Sequence, residues 1–371
     1  MPDNSAAWLD RPYADLVVRP APYTAAGPGE IVIRNHAIAV NPLDDVKQTT
    51  GNLMYRWLPY PSVLGEDVAG EVVDIGPGVT RFRLGDRVIA YAVGMEKGRN
   101  HRAEGGFQAF TVVRALLAAS IPDVMAYEDA VVLPLAISTA ASALFQSDKL
   151  GLRHPVPVAT PTGETVLVWG GSTSVGSNAI QLAVAAGYQV VTTASPHNHD
   201  RVRALGATHV FDYSSPTVVH DAIEAIRGRP LAGVLAIGTG SAEPAVTIAT
   251  ALGARRVCLA SPSVSFSALP RRSGPSASFV AVMSRLVLRT TVLQLRSRLR
   301  RVRASFVWGS SLMTNEVGPM LWADYLPAAL AEGRHVPAPA AEVVGQGLES
   351  VQPALDALRR GVSARKLVVL L

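Results

Sequence analysis

Apolar and polar positions follow two different rhythms along this chain. Up to about residue 135 they alternate in short runs: residues 30–38, 63–75, 82–90 and 105–113 each read as strand. Gly76, Pro77 and Gly78 make one turn between them, and Gly85 with Asp86 another, with Arg87 a candidate partner for a nearby acid. Short strands joined by glycine turns predict a compact antiparallel barrel. Residues 126–146 read as helix, with Glu128 and Asp129 at its start, Pro134 interrupting it, and Ile137, Ser138 and Thr139 opening the next helix. Residues 153–164 are proline-rich and predict a surface loop. Beyond them the rhythm changes. Thr165 to Trp169 is β-branched and apolar without a charge, which predicts a buried strand. A helix over 174–186, a strand over 189–194, a helix over 198–205 and a strand over 209–212 follow. A helix over 216–226, a strand over 233–237, a helix over 243–252 and a strand over 255–260 complete the series. Strands alternating with helices predict a parallel sheet covered on both faces.

The chemistry is concentrated where the first of these strands meets its helix. Gly170 and Gly171 allow a sharp turn; Ser172, Thr173 and Ser174 supply hydroxyls and amides; Val175 lies in the first helical turn; Gly176 lets the helix approach the strand. Free amides and the positive end of a helix dipole suit a phosphate, so this is a dinucleotide-binding unit. An NAD site usually carries an acid near the end of the second strand, to hold the ribose hydroxyls. Here that stretch reads Thr193, Ala194, Ser195, Pro196, His197, Asn198, with no acid before Asp200. Ser195, His197 and Arg201 are candidate donors, and Tyr213 could add a hydroxyl or cover the adenine. Both features favour NADPH. The alternative for His197 and Tyr213 is an ordinary polar loop tip.

Composition bounds the rest. A chain of 371 residues suggests two domains, and 49% apolar with 17% charged residues suits a globular α/β protein. No uninterrupted apolar run reaches membrane-spanning length, and the first residues lack the basic-then-apolar pattern of a secretory signal, so a cytoplasmic protein is expected. The single cysteine, Cys258, rules out an internal disulfide and any multi-cysteine metal site. The net charge of +5 is unevenly laid out: between Pro244 and Asn315 stand eleven arginines, no lysine and no acid, which leaves the remainder net acidic. Within that region Leu288, Val292, Leu295, Leu299 and Val302 recur every three or four residues, with Arg285, Arg289, Arg296, Arg300 and Arg303 beside them. The pattern predicts a basic amphipathic helix over 278–303. One reading is a helix packed on the sheet with a solvated arginine edge; another is a helix for a lipid surface or an acidic partner. Nothing beside the arginines resembles a nucleic-acid recognition module, so no nucleic-acid partner is expected.

Several segments together resemble the zinc-independent medium-chain dehydrogenase/reductases, which include quinone reductases and the trans-acting enoyl reductases of secondary metabolism. They are NPLD (residues 41–44), LGEDVAGEV (64–72), GDRV (85–88), LPLAISTA (133–140), GGSTSVGSNAIQLA (170–183), SPHN (195–198), FDY (211–213) and the KLVV ending. The resemblance implies an α/β protein with a GroES-like β-barrel domain plus a doubly wound Rossmann domain. The first would comprise residues 1–135 with 318–371, and the second residues 136–317. It further implies NADPH contacts at the segment from Leu43 through Asp44 to Lys47, at Thr173 to Val175, at Ser195, His197 and Asn198, at Tyr213, and at Leu259 and Ala260. Thr139 would lie near the nicotinamide, and the substrate between the domains. Alcohol-oxidising relatives use zinc ligands where this chain has Val40-Asn41-Pro42 and Gly65-Glu66-Asp67. With neither cysteine nor histidine there, no metal is expected.

The implied reaction is hydride transfer from NADPH to the β-carbon of an activated C=C bond, in an enoyl, enone or quinone substrate that arrives free or on a carrier. Lys47 is the candidate for orienting that substrate or donating the proton, against the alternative of a surface lysine on a helix start. Imine reduction, a cyclisation-directing role, and a non-catalytic nucleotide-binding partner of a biosynthetic complex are the competing expectations. The protein would be a monomer or a homodimer.

Overall fold

The computed structural model describes residues 2–266, 269–272 and 276–371. They form two compact units. One holds the chain up to Leu135, the segment from Leu321 to Leu371 and the described residues of the 266–275 stretch; the other holds residues 136–265 and 276–320.

The alternating runs of the first unit become two β-sheets. The larger has the order Ala340–Gln346, Arg365–Leu370, Glu30–Ala39, Asp67–Ile75, Arg87–Tyr91, Ala118–Ser120, with Phe110–Arg114 also paired to Glu30–Ala39. The smaller joins Val17–Ala21, Asn4–Leu9 and Ser62–Val63. The terminal KLVV segment does return here: Arg365–Leu370 runs antiparallel to Glu30–Ala39, with Val368 opposite Ala39. The Asn-Pro pair of NPLD opens the helix Pro42–Thr50, with proline at a position whose amide would have no helical acceptor. Among the described residues Arg87 pairs with no acid. It donates to the carbonyls of Pro122 (3.0 Å) and Met125 (2.7 Å) and lies 4.3 Å from the Tyr127 ring centre, so it closes a loop.

The second unit is a six-stranded sheet in which every pairing is parallel. Its order is His209–Phe211, Gln189–Thr193, Thr165–Trp169, Leu231–Ala236, Arg256–Leu259, Arg303–Phe306. Counted along the chain this is 3-2-1-4-5-6, the doubly wound arrangement, whose reversal point lies beside the strand Thr165–Trp169. One face of the sheet packs Leu167, Val234, Val257 and Leu259 against Ala222 and Ile226 of the helix Val218–Ile226 and Ala245 and Ile248 of the helix Ala242–Ala251. Each large aliphatic side chain so buried contributes about 1.5–3 kcal/mol.

Two expectations need correction. The break expected at Pro134 is present, because the helix Tyr127–Ala130 ends before it, but the next helix, Pro134–Phe145, opens on the proline itself, at a first-turn position, rather than at Ile137. The basic helix is Ala277–Leu299 and stops short of Arg303. Arg301 adopts φ +56°, a left-handed conformation that ends the helix, and the Val302 amide bonds back to the Ser297 carbonyl at 2.8 Å. Arg303 then begins the edge strand, which the arginine and leucine spacing had concealed. The helix is also turned the other way round from a packed amphipathic helix. Leu293 and Ser297 are its buried residues, while Leu288, Leu295 and Leu299 of the apolar stripe are exposed. By length and hydropathy alone, Tyr127–Phe145 and Ala277–Leu299 could each cross a membrane; the first is buried within the protein and the second is almost wholly exposed.

Candidate functional site

The turn after Thr165–Trp169 is built by three glycines. Gly170 has φ +89°, and a side chain on Gly171 would meet Thr192 Oγ1 at 2.2 Å. Thr173 caps the following helix, Ser174–Ala185: its Oγ1 accepts from the Gly176 amide at 3.0 Å and donates to the Gly170 carbonyl at 2.7 Å. Ser177 Oγ donates to the Gly171 carbonyl at 3.1 Å, and Thr193 receives both glycine amides, that of Gly170 on Oγ1 and that of Gly171 on its carbonyl. The loop's shape is thus held by its own hydroxyls. The amides of Ser172, Ser174 and Val175 have no acceptor among the described hydrogen bonds, and all three residues are partly exposed. Three unclaimed amides at a helix N-terminus form an anion-binding mouth.

Beside this turn the second strand ends at Thr193, and Ser195 Oγ lies 3.4 Å from Tyr213 Oη. His197 and Tyr213 are exposed; Asn198 is buried. Asp200, the first acid beyond the strand, is engaged by Arg203 at 3.0 Å. Leu259 ends its strand, and the Ala260 amide is taken by the Ala236 carbonyl at 2.9 Å. Thr139 lies in the helix Pro134–Phe145 with its side chain nearly buried.

The first unit carries a buried polar cluster that only partly coincides with the residues expected there. Asp44 is fully buried; its Oδ2 accepts from the Asn41 amide at 2.8 Å and its Oδ1 from the Gly65 amide at 3.1 Å. Its carboxylate therefore clamps the helix start to the loop before Asp67–Ile75. Burial is the main force raising its pKa, to about 7, opposed by the Asn41 amide and reinforced by the charge of Asp67. Asp67 pairs with Lys366 Nζ at 2.8 Å and also accepts from Asn41 Nδ2 (2.8 Å) and the Leu135 amide (2.6 Å). Lys47 is no surface lysine. Its Nζ donates to the carbonyls of Tyr55 (3.1 Å) and Leu58 (3.3 Å) and sits 4.5 Å from the Tyr60 ring centre. Burial lowers its pKa to about 8. These contacts tie Lys47 to the 55–60 segment.

Glu66, between these groups, is fully buried; Tyr91 Oη approaches its Oε1 at 3.4 Å and its Oε2 has no partner among the described residues. Burial first, then the charges of Asp44, Glu96 and Asp67, push its pKa well above the usual carboxylate value. A raised pKa means that the ionised form weakens the fold at high pH and that this penalty disappears as pH falls through the folded-state pKa. Glu66→Gln mimics the neutral carboxyl. The variant is expected to be more stable than the wild type at pH 8, with the gap closing as pH is lowered. Urea midpoints measured across this range check it, and a gap that is constant or widens on acidification refutes it.

Lys366, Asn41 and Asp67 had no assigned role from the sequence, although each lies within a motif noted there. Their partnership crosses most of the chain, so no local spacing could announce it.

The sequence pattern described as "Alcohol dehydrogenase GroES-like domain" matches residues 27–123. The chain is 46% identical over 372 residues to "Dehydrogenase pigH" of Monascus ruber, covering 100% of both chains. It is 38% identical to "Trans-enoyl reductase himH" of Aspergillus japonicus, covering 99% of this chain and 97% of that one. Among solved structures, an alcohol dehydrogenase superfamily protein from Novosphingobium aromaticivorans is similar with a TM-score of 0.70 and 25% identity, over 99% of both chains. This fold implies a nicotinamide cofactor. With a doubly wound sheet, a glycine turn at its central strand and relatives of full length, the chain belongs to the medium-chain dehydrogenase/reductase superfamily of oxidoreductases, beside its dehydrogenase and trans-enoyl reductase members.

Proposed function

We propose that this protein is an NADPH-dependent reductase of activated C=C bonds that works without zinc in a secondary-metabolic pathway. The observation that carries the reading is the anion-binding mouth at Ser172, Ser174 and Val175, next to a second strand whose end offers hydroxyls and no free acid. The three amides bind the diphosphate. Ser195, His197 and Tyr213 face the ribose end, where a free carboxylate would repel a 2′-phosphate; of the nearby acids, Asp200 is engaged by Arg203 and Asp212 by Ser214. Asn198, Leu259 and Ala260 complete the proposed cofactor contacts, and Thr139 is proposed to lie beside the nicotinamide. Bound NADPH supplies the hydride that the β-carbon of an unsaturated carbonyl accepts. The second hydrogen reaches the substrate as a proton from water. Lys47 is given no part in that delivery, because two carbonyls and an aromatic face already hold its ammonium group. Asp44 acts only as the clamp that positions its segment.

The zinc-free reading is supported by the donor set. Zinc needs three protein ligands of nitrogen, sulfur or carboxylate type. At the corresponding positions Asp67 is held by an ammonium and two amide donors, and Asn41 Oδ1 is taken by Lys366. Only Glu66 retains an unclaimed oxygen. A conjugated carbonyl takes up the charge of hydride addition by itself, so this chemistry does not require a Lewis acid. Relatives carrying the trans-enoyl reductase name favour an enoyl substrate, free or carrier-bound.

Two measurements test the reading. NADPH is expected to bind at least about tenfold more tightly than NADH, a difference of ~1.4 kcal/mol; equal affinities by calorimetry reject the cofactor assignment. Consumption of NADPH is expected with enones, quinones or α,β-unsaturated acyl thioesters but not with imines. Turnover confined to imines, or none with the whole panel, rejects the substrate class.

A further inference from the structure

The exposed helix Ala277–Leu299 is not explained by nucleotide binding or by reduction. On a wheel of 3.6 residues per turn, Val280, Ala281, Val287, Leu288, Val292, Leu295 and Leu299 fall within an arc of about 140°. All seven are exposed, Leu288 at 64%, Leu295 at 58% and Leu299 at 76%. The buried residues of the helix, Leu293 and Ser297, lie on the opposite side. Arg285, Arg289, Arg296 and Arg300 line one margin of this arc; Ser284, Thr291 and, towards the opposite edge, Arg298 fall among its apolar residues. At the C-terminal end, Arg298, Arg301 and Arg303 with Gln294 line a groove of about 390 Å³. No described ion pair involves an arginine between 285 and 303, and the nearest acids along the chain are Glu243 and Glu316.

We propose that this helix docks the protein on an anionic lipid surface, with the apolar arc entering the headgroup boundary and the arginine groove taking a lipid phosphate. Charge and shape select this occupant. A second copy of the same helix would set arginine against arginine across the seam. The apolar arc is convex and has no cleft of its own, so it lies readily along a plane, and the groove at its end is lined by arginines and suits a phosphate rather than an apolar side chain. Arginine stems can run beside an apolar face while their guanidinium groups reach phosphates. The 23-residue helix is long enough to span a bilayer, but Arg285 and Arg289 near its middle would place ionised groups in hydrocarbon, so it lies in the interface instead.

The test is co-flotation of the full chain with two sets of vesicles, phosphatidylcholine alone and phosphatidylcholine with about one-third phosphatidylserine. Binding to the anionic vesicles is expected to exceed binding to the neutral ones at least tenfold, and to weaken as salt is raised. The double variant Leu288→Ser, Leu295→Ser is expected to bind at least tenfold more weakly, and so is the triple variant Arg298→Gln, Arg301→Gln, Arg303→Gln. Circular dichroism and NADPH oxidation by these variants should match the wild type, since the leucines are exposed and lie outside the nucleotide turn. Equal binding to both vesicles, or anionic binding that survives the leucine changes, overturns the proposal. So does a leucine variant that instead changes the sedimentation state from dimer to monomer, because the arc would then be an interface between copies.

Discussion

Gly176→Ala is expected to destabilise the protein by about 3 kcal/mol and to weaken nicotinamide-cofactor binding at least about tenfold. The reason is a backbone collision. A Cβ at this position would lie 2.2 Å from the Gly170 carbonyl oxygen and 2.8 Å from the Gly171 Cα. Neither is the flexible end of a side chain, so the helix Ser174–Ala185 would have to move off the strand Thr165–Trp169. That movement would also break the Thr173 cap, whose Oγ1 spans from the Gly176 amide to the Gly170 carbonyl. It would displace the unclaimed amides of Ser174 and Val175 as well. Denaturant unfolding reads the first effect and fluorescence titration with NADPH the second. A variant with an unchanged midpoint and unchanged affinity would show that the turn yields more easily than its contacts imply.

Lys366→Met is expected to cost about 3 kcal/mol, at the lower end of the range for breaking a buried ion pair. Asp67 has no exposed side-chain surface and Lys366 has 5%, so removing the ammonium strands a carboxylate away from water. The Asn41 side-chain amide and the Leu135 amide still donate to that carboxylate, which keeps the loss from being larger. Adding Asp67→Asn should recover part of the stability, because the orphaned charge is then gone. Equilibrium unfolding of the single and double variants decides the matter. If the single variant falls within about 1 kcal/mol of the wild type, or the double is the less stable of the two, the pair does not hold the first unit in the way its burial implies.

These two sites differ in how readily the sequence discloses them. Gly170 to Ser177 form a unit whose contacts all lie within eight residues and the facing strand, so glycine and hydroxyl spacing alone announces the turn. The alternation of strand and helix after Thr165 was equally legible, because each element carries its own hydrophobic period. The ion pair was not. Lys366 and Asp67 meet because the last strand returns to the first sheet, and no period or spacing encodes which buried lysine will face which carboxylate. Lys47 shows the same limit: a lysine on a short helix reads as exposed until the segment 55–60 folds over it.

Local chemistry therefore determined, from the residues alone, the doubly wound sheet, the glycine turn with its hydroxyl cap and the acid-poor end of the second strand. Such features depend on neighbours a few residues apart, and their physics is complete before the chain closes on itself. Tertiary structure decided which charges are buried together and which side of the basic helix meets solvent. Periodicity marked that helix as amphipathic, but it could not say whether Leu288 or Leu293 would find a partner. Only the placement of the edge strand Arg303–Phe306 and the rest of the sheet settles that, because burial is a property of the assembled surface and not of the order of residues.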